Sequence, residues 1–295
     1  MSDGAPKRKI ITKKFYGFNI KIQSNRDIDE VVFSSLIKEL YDGRIGKKVS
    51  NDKVVILRTQ FKTEKTFNGT THDIYYGKMA RYTLIEGSQW FNERTMELEN
   101  PSFPSGIHPS GFEGDYIFIP AVHRFFLEVQ QKVTVTMALE FLKLAFGQII
   151  KPGEICIVSL MQEQNVIDSI INAPAIKSLR VKVSYTNDDV GDKAQEALDK
   201  ILKGANVGKI DATLKAPPQG SIDSSKEFIR GLIELSKDNG GSRARIINIS
   251  GKREIIDTSE YPEKLKITLD DKQDERGKLF SLIMERLRNG ARRNR

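Results

Sequence analysis

The chain has 295 residues, 39% of them hydrophobic and 29% charged, with a net charge of +8 and a single cysteine. That length supports one large domain or two ordinary ones around a sizeable core, while one cysteine excludes intramolecular disulfides and cysteine-rich zinc sites. No run approaches the roughly 18 apolar residues of a membrane span, and the N-terminal stretch lacks an apolar core of signal-peptide length, so a reducing cytoplasm is the expected setting.

The charge is unevenly placed. Residues 1–14 carry +4 and residues 276–295 carry +6 of a chain total of +8, so the body between them is slightly acidic. Basic ends suit phosphate, because lysine and arginine release counterions when they neutralise a nucleic-acid backbone. The equally simple alternative is that they only keep the protein soluble.

Taken in order, residues 15–22 alternate, with Tyr16, Phe18, Ile20 and Ile22 on one face, which predicts a strand with one buried side. Ile28, Val32, Leu36 and Leu40 then recur every four residues in an amphipathic helix closed by Gly43 and Gly46. Residues 53–61 predict a second strand and 74–85 a third. Between them lies a polar stretch whose Asn68-Gly69 pair signals a hairpin or loop turn. Residues 86–114 hold Pro101, Pro104 and Pro109 and predict a long irregular loop that Trp90-Phe91 anchors to the core.

The stretch 116–150 is the most apolar of its length and is expected to supply the central strand and helix. Pro120 should mark an edge, a bulge or a strand start. Beyond it, His123, Phe125, Leu127 and Val129 share one face, which makes His123 a core histidine. Thr134 caps a helix with Met137, Phe141, Leu144 and Ala145 inward. Residues 154–162 form another buried strand, with Cys156 a buried structural thiol. The second half predicts strands at 178–186, 207–218, 242–250 and 263–270, and helices at 189–204, 222–241 and 274–290.

The expected fold class is α+β, with two α/β units. Residues 1–165 form an elaborated ferredoxin-like sandwich with a basic N-terminal arm and the irregular loop at about 86–114; residues 166–295 form a second unit with a basic C-terminal helix and tail.

Tests for chemistry are mostly negative. The chain has no phosphate-cradling G-x-x-x-x-G-K-[ST], no G-x-G-x-x-G, no G-x-S-x-G and no H-E-x-x-H. No cofactor or metal site is expected, and the balance leans away from an enzyme. Of the three histidines, His72 sits in the polar stretch beside Asp73 and is the most accessible candidate general base for a metal-independent ribonuclease. Binding leaves a broader signature. Tyr75 and Tyr82 lie near Lys78 and Arg81, an interleaving that suits stacking on single-stranded bases, with core packing as the competing explanation. Arg243 and Arg245 share one strand face behind Gly240-Gly241 and can meet phosphates. Lys7, Arg8 and Lys9 at one end, and Arg288, Arg292 and Arg293 at the other, add sequence-independent affinity.

The span containing Trp90, Phe91, Asn92, Pro104, His123, Arg124, Phe125 and Phe146, with the later residues 239–245 and 258–262, resembles an uncharacterised bacterial family of unknown function. The resemblance implies a phage-defence-like genetic setting and carries over no catalytic residues. The resulting expectation is a nucleic-acid-binding component, RNA favoured, of a bacterial antiviral defence-type assembly. A metal-independent endoribonuclease and a structural, oligomer-forming subunit are the alternatives. Nucleic acid and a homo-oligomer or protein complex are the expected partners, with no membrane association.

Overall fold

A computed structural model describes residues 10–85, 90–100, 104, 106–109, 111–129, 131–184, 204–205, 207–270 and 274–293. The helix expected at 189–204 and the arm residues Lys7, Arg8 and Lys9 lie outside the described residues, apart from Gly204.

The first sheet is built on β1 (Ile10–Gln23). Its residues 15–19 pair with β8 (Arg124–Glu128), while the opposite edge pairs first with β14 (Lys264–Asp270) and then with β9 (Ile155–Leu160). Beyond β8 the order continues through β7 (Phe112–Ile119), β4 (Thr70–Thr83), β3 (Lys53–Phe67) and β2 (Lys47–Ser50), giving eight antiparallel strands that curl into a half-barrel. Helices α1 (Glu30–Asp42) and α2 (Val135–Ile149) cover one face. They enclose a core that includes Phe18, Ile20, Phe33, Tyr116, Phe118, Phe125, Phe141 and Phe146. Tyr116 stacks on Phe125 at 5.2 Å, so the stretch expected to be central is central. The other face of the sheet packs Phe15, Ile117, Phe126 and Ile267 against Leu279, Phe280 and Ile283 of α5 (Glu275–Arg293).

Several local signals act as the sequence suggests. Asp29 caps α1 by accepting from Val32 N at 2.9 Å, and Thr134 caps α2 through Met137 N at 3.3 Å. Asn68 and Gly69 both adopt positive φ, 50° and 83°, the conformation of a two-residue hairpin turn. Pro120 opens a 3-10 turn that ends at His123, itself left-handed at φ 54° and stacked 4.2 Å from Phe33. Cys156, expected to be buried, is half-buried, and its desolvation pushes the thiol up to about 12, which keeps it protonated.

Of the two readings of the polar stretch 62–73, hairpin or loop, the hairpin holds: β3 and β4 run on to Phe67 and Thr70 as a ladder held by backbone hydrogen bonds beyond the core. Other expectations are corrected. Within 86–114 stands a separate hairpin of β5 (Trp90–Asn92) and β6 (Glu97–Glu99). It does not anchor to the core through its aromatics: Trp90 is 40% and Phe91 60% exposed. Leu144 is likewise 40% exposed, and α2 turns Ala138, Leu142 and Phe146 inward together with Phe141 and Ala145.

The second sheet has the order β11 (Lys209–Lys215), β10 (Ala175–Ser184), β12 (Gly240–Ile247), β13 (Arg253–Asp257). Helices α3 (Gln164–Ile171) and α4 (Glu227–Asn239) pack on one side of it. Gly240 passes so close to β10 that a Cβ there would sit 1.8 Å from Lys182 O, so α4 can turn directly into β12 only with glycine at that point. The unit assigned to 166–295 is shorter than expected, because β14 and α5 return to the first sheet. The seam is marked by a bridge between Gln162 and Pro262. The two units are fastened by a buried polar cluster: Asn19 donates to Asp238 O at 3.1 Å and to Asn239 Oδ1 at 3.0 Å. Lys21 also reaches Asn239 Oδ1, and Arg124 reaches Asn19 Oδ1, with Asp238 at 3.7 Å. Among the described residues no helix is long and apolar enough to cross a membrane.

Two outcomes test this packing. Phe280→Ala should destabilise the protein by about 3–5 kcal/mol in urea unfolding, because it removes a fully buried ring between α5 and the first sheet. The Glu154 carboxylate accepts from Arg26 Nε at 2.6 Å and Ser24 Oγ at 2.8 Å, and these bonds lower its pKa from the ordinary 4.5 to about 2. Its stabilising contribution is therefore complete above pH 4.5 and lost as pH falls toward 2, so an acid titration of stability should be shallower in Glu154→Gln across that window.

Candidate nucleic-acid interface

The second sheet has two unlike faces, and period-2 alternation creates both. Leu179, Val181 and Val183 of β10, with Ala244 and Ile246 of β12 and Ile256 of β13, point toward α3 and α4 and are buried. The residues between them point away from the helices. On β10 these are Ser178, Arg180 and Lys182; on β11 they are Lys209, Asp211, Thr213 and Lys215; on β12 they are Arg243 and Arg245.

Register then decides which charges meet. Ser178 lies between Lys215 and Arg245, and Arg180 lies between Thr213 and Arg243. Together with Lys177 and Ala216 these residues line a shallow concavity of about 540 Å³. Lys177 enters it through the bulge between Ile176 and Ser178, and its Nζ donates to Gly220 O at 2.6 Å.

Two carboxylates temper this surface. Asp211 accepts from Arg180 Nε and Nη2 at 3.1 and 3.0 Å, which holds its pKa below the usual carboxylate range. Asp257 stands 3.9 Å from Arg243. Among the described residues neither Arg245 nor Lys215 has a carboxylate within ion-pair distance. The concavity is therefore most cationic along the Lys215–Ser178–Arg245 row. Exposed ion pairs contribute little to stability, so Arg180 can exchange Asp211 for another anion without disturbing the fold.

The sequence candidates fare unevenly. Arg243 and Arg245 project from one face as expected. Arg180, Lys182 and Lys215 were not singled out, although the same alternation runs through their strands. Tyr75 is corrected: at 6% exposure it belongs to the first core beside Phe118 and has no free face for a base. Tyr82 stacks on His108 at 4.8 Å, Arg81 lies 4.8 Å over the Phe112 ring, and Lys78 pairs with Asp115.

His72 is also corrected. It stands in β4 opposite Lys65, its side chain only 15% exposed, with Nδ1 3.5 Å from Glu30 and the ring 6.5 Å from Phe280. A ring so covered is poorly placed to act as a general base. Arg288, Arg292 and Arg293 fall on the last turns of α5, whose backbone continues past Gly290 to Arg293. The aromatic and basic interleaving does occur near Tyr76 instead, with Phe61 stacked on its ring at 5.5 Å and the Arg276 guanidinium 3.7 Å from it.

A family model described as a domain of unknown function (DUF4747) matches residues 11–285, nearly the whole chain. No curated protein matches it. The span includes every strand and helix that forms the cationic face.

The two kinds of lysine give a direct check. A water-soluble acylating reagent should modify Lys215 in the native protein and spare Lys21, which is 2% exposed. Peptide mass mapping reads the difference, and equal modification of both contradicts this placement.

Proposed function

The chain belongs to the DUF4747 family, and we propose that it is a nucleic-acid-binding protein whose contact surface is the open cationic face of the second sheet. The observation that carries the reading is the clustering of Lys177, Arg180, Lys215, Arg243 and Arg245 from three strands around one concavity, with the described helices α3 and α4 on the opposite side. The hydrogen-bonded sheet fixes the backbones that carry these cations, so only side-chain freedom is lost when they meet phosphates, and each phosphate neutralised releases counterions.

RNA and DNA are equally compatible with this surface, because the tyrosines that favoured RNA are packed into the first unit. The setting in the proposal is a bacterial antiviral defence-type assembly in the cytoplasm, which the family resemblance suggests. The path β1–α1–β3 and β8–α2–β9, with an antiparallel strand inside each crossing, is read as a ferredoxin-like plan widened by β4 and β7. Cleavage by His72 is not part of the proposal, because Glu30 and Phe280 cover its ring.

Fluorescence anisotropy with RNA and DNA across a salt series tests the reading. Binding should weaken steeply with salt, and Arg243→Ala with Arg245→Ala should lower the slope of log K against log salt by about 2. A flat salt response rejects electrostatic nucleic-acid binding. An unchanged slope in the double variant moves the contact away from this face.

A further inference from the structure

We infer that the cationic face grips the phosphate backbone of a nucleic-acid duplex and does not stack on bases. This rests on the nucleic-acid reading above and deepens it.

The first observation is what the face lacks. Among the described residues, the outward positions of β10, β11, β12 and β13 carry arginine, lysine, serine, threonine, aspartate, glycine and isoleucine, and no aromatic ring. Single-strand binders gain about 1–3 kcal/mol for each base stacked on an aromatic side chain. Without such rings that source of single-strand affinity is missing, and the contacts of these cations with phosphates carry the binding.

Backbone-only binding favours the duplex for an electrostatic reason. A duplex carries one charge per roughly 1.7 Å of axis, and each neutralised phosphate contributes about 0.9 to the salt slope, against about 0.7 for a single strand. The same cations therefore gain more from a duplex.

The second observation is where the cations stand. Ser178 is in register with both Lys215 and Arg245. At about 4.8 Å between strands, the two cationic residues start about 10 Å apart with a hydroxyl between them. That row presents three donors in line to a phosphate backbone, with no acid within ion-pair distance of either cation among the described residues. In the next row Arg180 reaches diagonally to Asp211, which lies opposite Lys182, and Arg243 faces Asp257, so a phosphate path is drawn toward the Lys215–Arg245 row and away from the acids. Neither row encloses a base; the shared concavity is shallow and open.

The test uses the full chain and four fluorescent probes of one sequence: a single-stranded RNA, its RNA duplex, and the matching DNA strand and duplex. Each duplex should bind about tenfold tighter than its own strands, and Lys215→Ala with Arg245→Ala should erase that preference. Circular dichroism checks that the variant keeps its fold; Ser178→Ala, which removes one hydroxyl, gives a second and milder variant with reduced duplex affinity. Strands that bind as tightly as duplexes overturn this inference while leaving the nucleic-acid reading intact, as does full duplex affinity in the double variant. Binding of none of the four probes overturns both.

Discussion

One strand takes two partners along a single edge, and the rest of the molecule follows from that. Residues 10–16 of β1 pair with β14 and residues 18–23 with β9, while β8 lies on the opposite side. Gly17 stands at the changeover. Its carbonyl accepts from Met161 N at 2.9 Å, and a Cβ on it would meet Met161 Sδ at 2.6 Å. Glycine here leaves room for the Met161 and Phe126 side chains, which a Cβ would force to shift, where the end of β9 meets the edge that β14 continues. The chain leaves the first sheet at this seam and returns to it beside the point of exit, where Gln162 meets Pro262.

The second sheet is therefore a module set into the first. Its attachment does not rest on two crossings alone. The end of α4 sinks Asp238 and Asn239 against Asn19, Lys21 and Arg124, all three buried. Placing cations there is costly unless they are hydrogen-bonded, and the asparagine carboxamides and backbone carbonyls supply those bonds. The result ties the core sheet to the cationic face, because α4, one of the two described helices that back the face, is held by the cluster.

The sequence made the local elements legible and left the long-range ones hidden. Asn68-Gly69 and Thr134 declare a turn and a cap because their chemistry acts over three or four residues. The alternation of Arg243 and Arg245 placed both on one face for the same reason. Tyr75 misled because alternation says which residues share a face but not which face is covered. Lys215 stayed unnoticed because its value comes from Ser178 and Arg245 in other strands, a relation set by register. The polar run 62–73 left hairpin and loop both open, since composition there reports exposure, whereas the ladder with β4 depends on backbone groups that every residue carries. The return of β14 to β1 joins Ile10 to Asp270, a separation that no periodicity reports.

The bridge between Gln162 and Pro262 also bears on how the chain assembles. Pairing β14 with β1 closes a loop of most of the chain, and loop closure grows more costly with length and slows folding. A module that folds on its own core first brings its two ends together at the bridge, leaving β14 adjacent to β9 before either has found β1. The long-range pairing then becomes a local one. An inserted sheet that forms first would, besides presenting its cationic face, serve as a splint for the strand order of the domain that carries it.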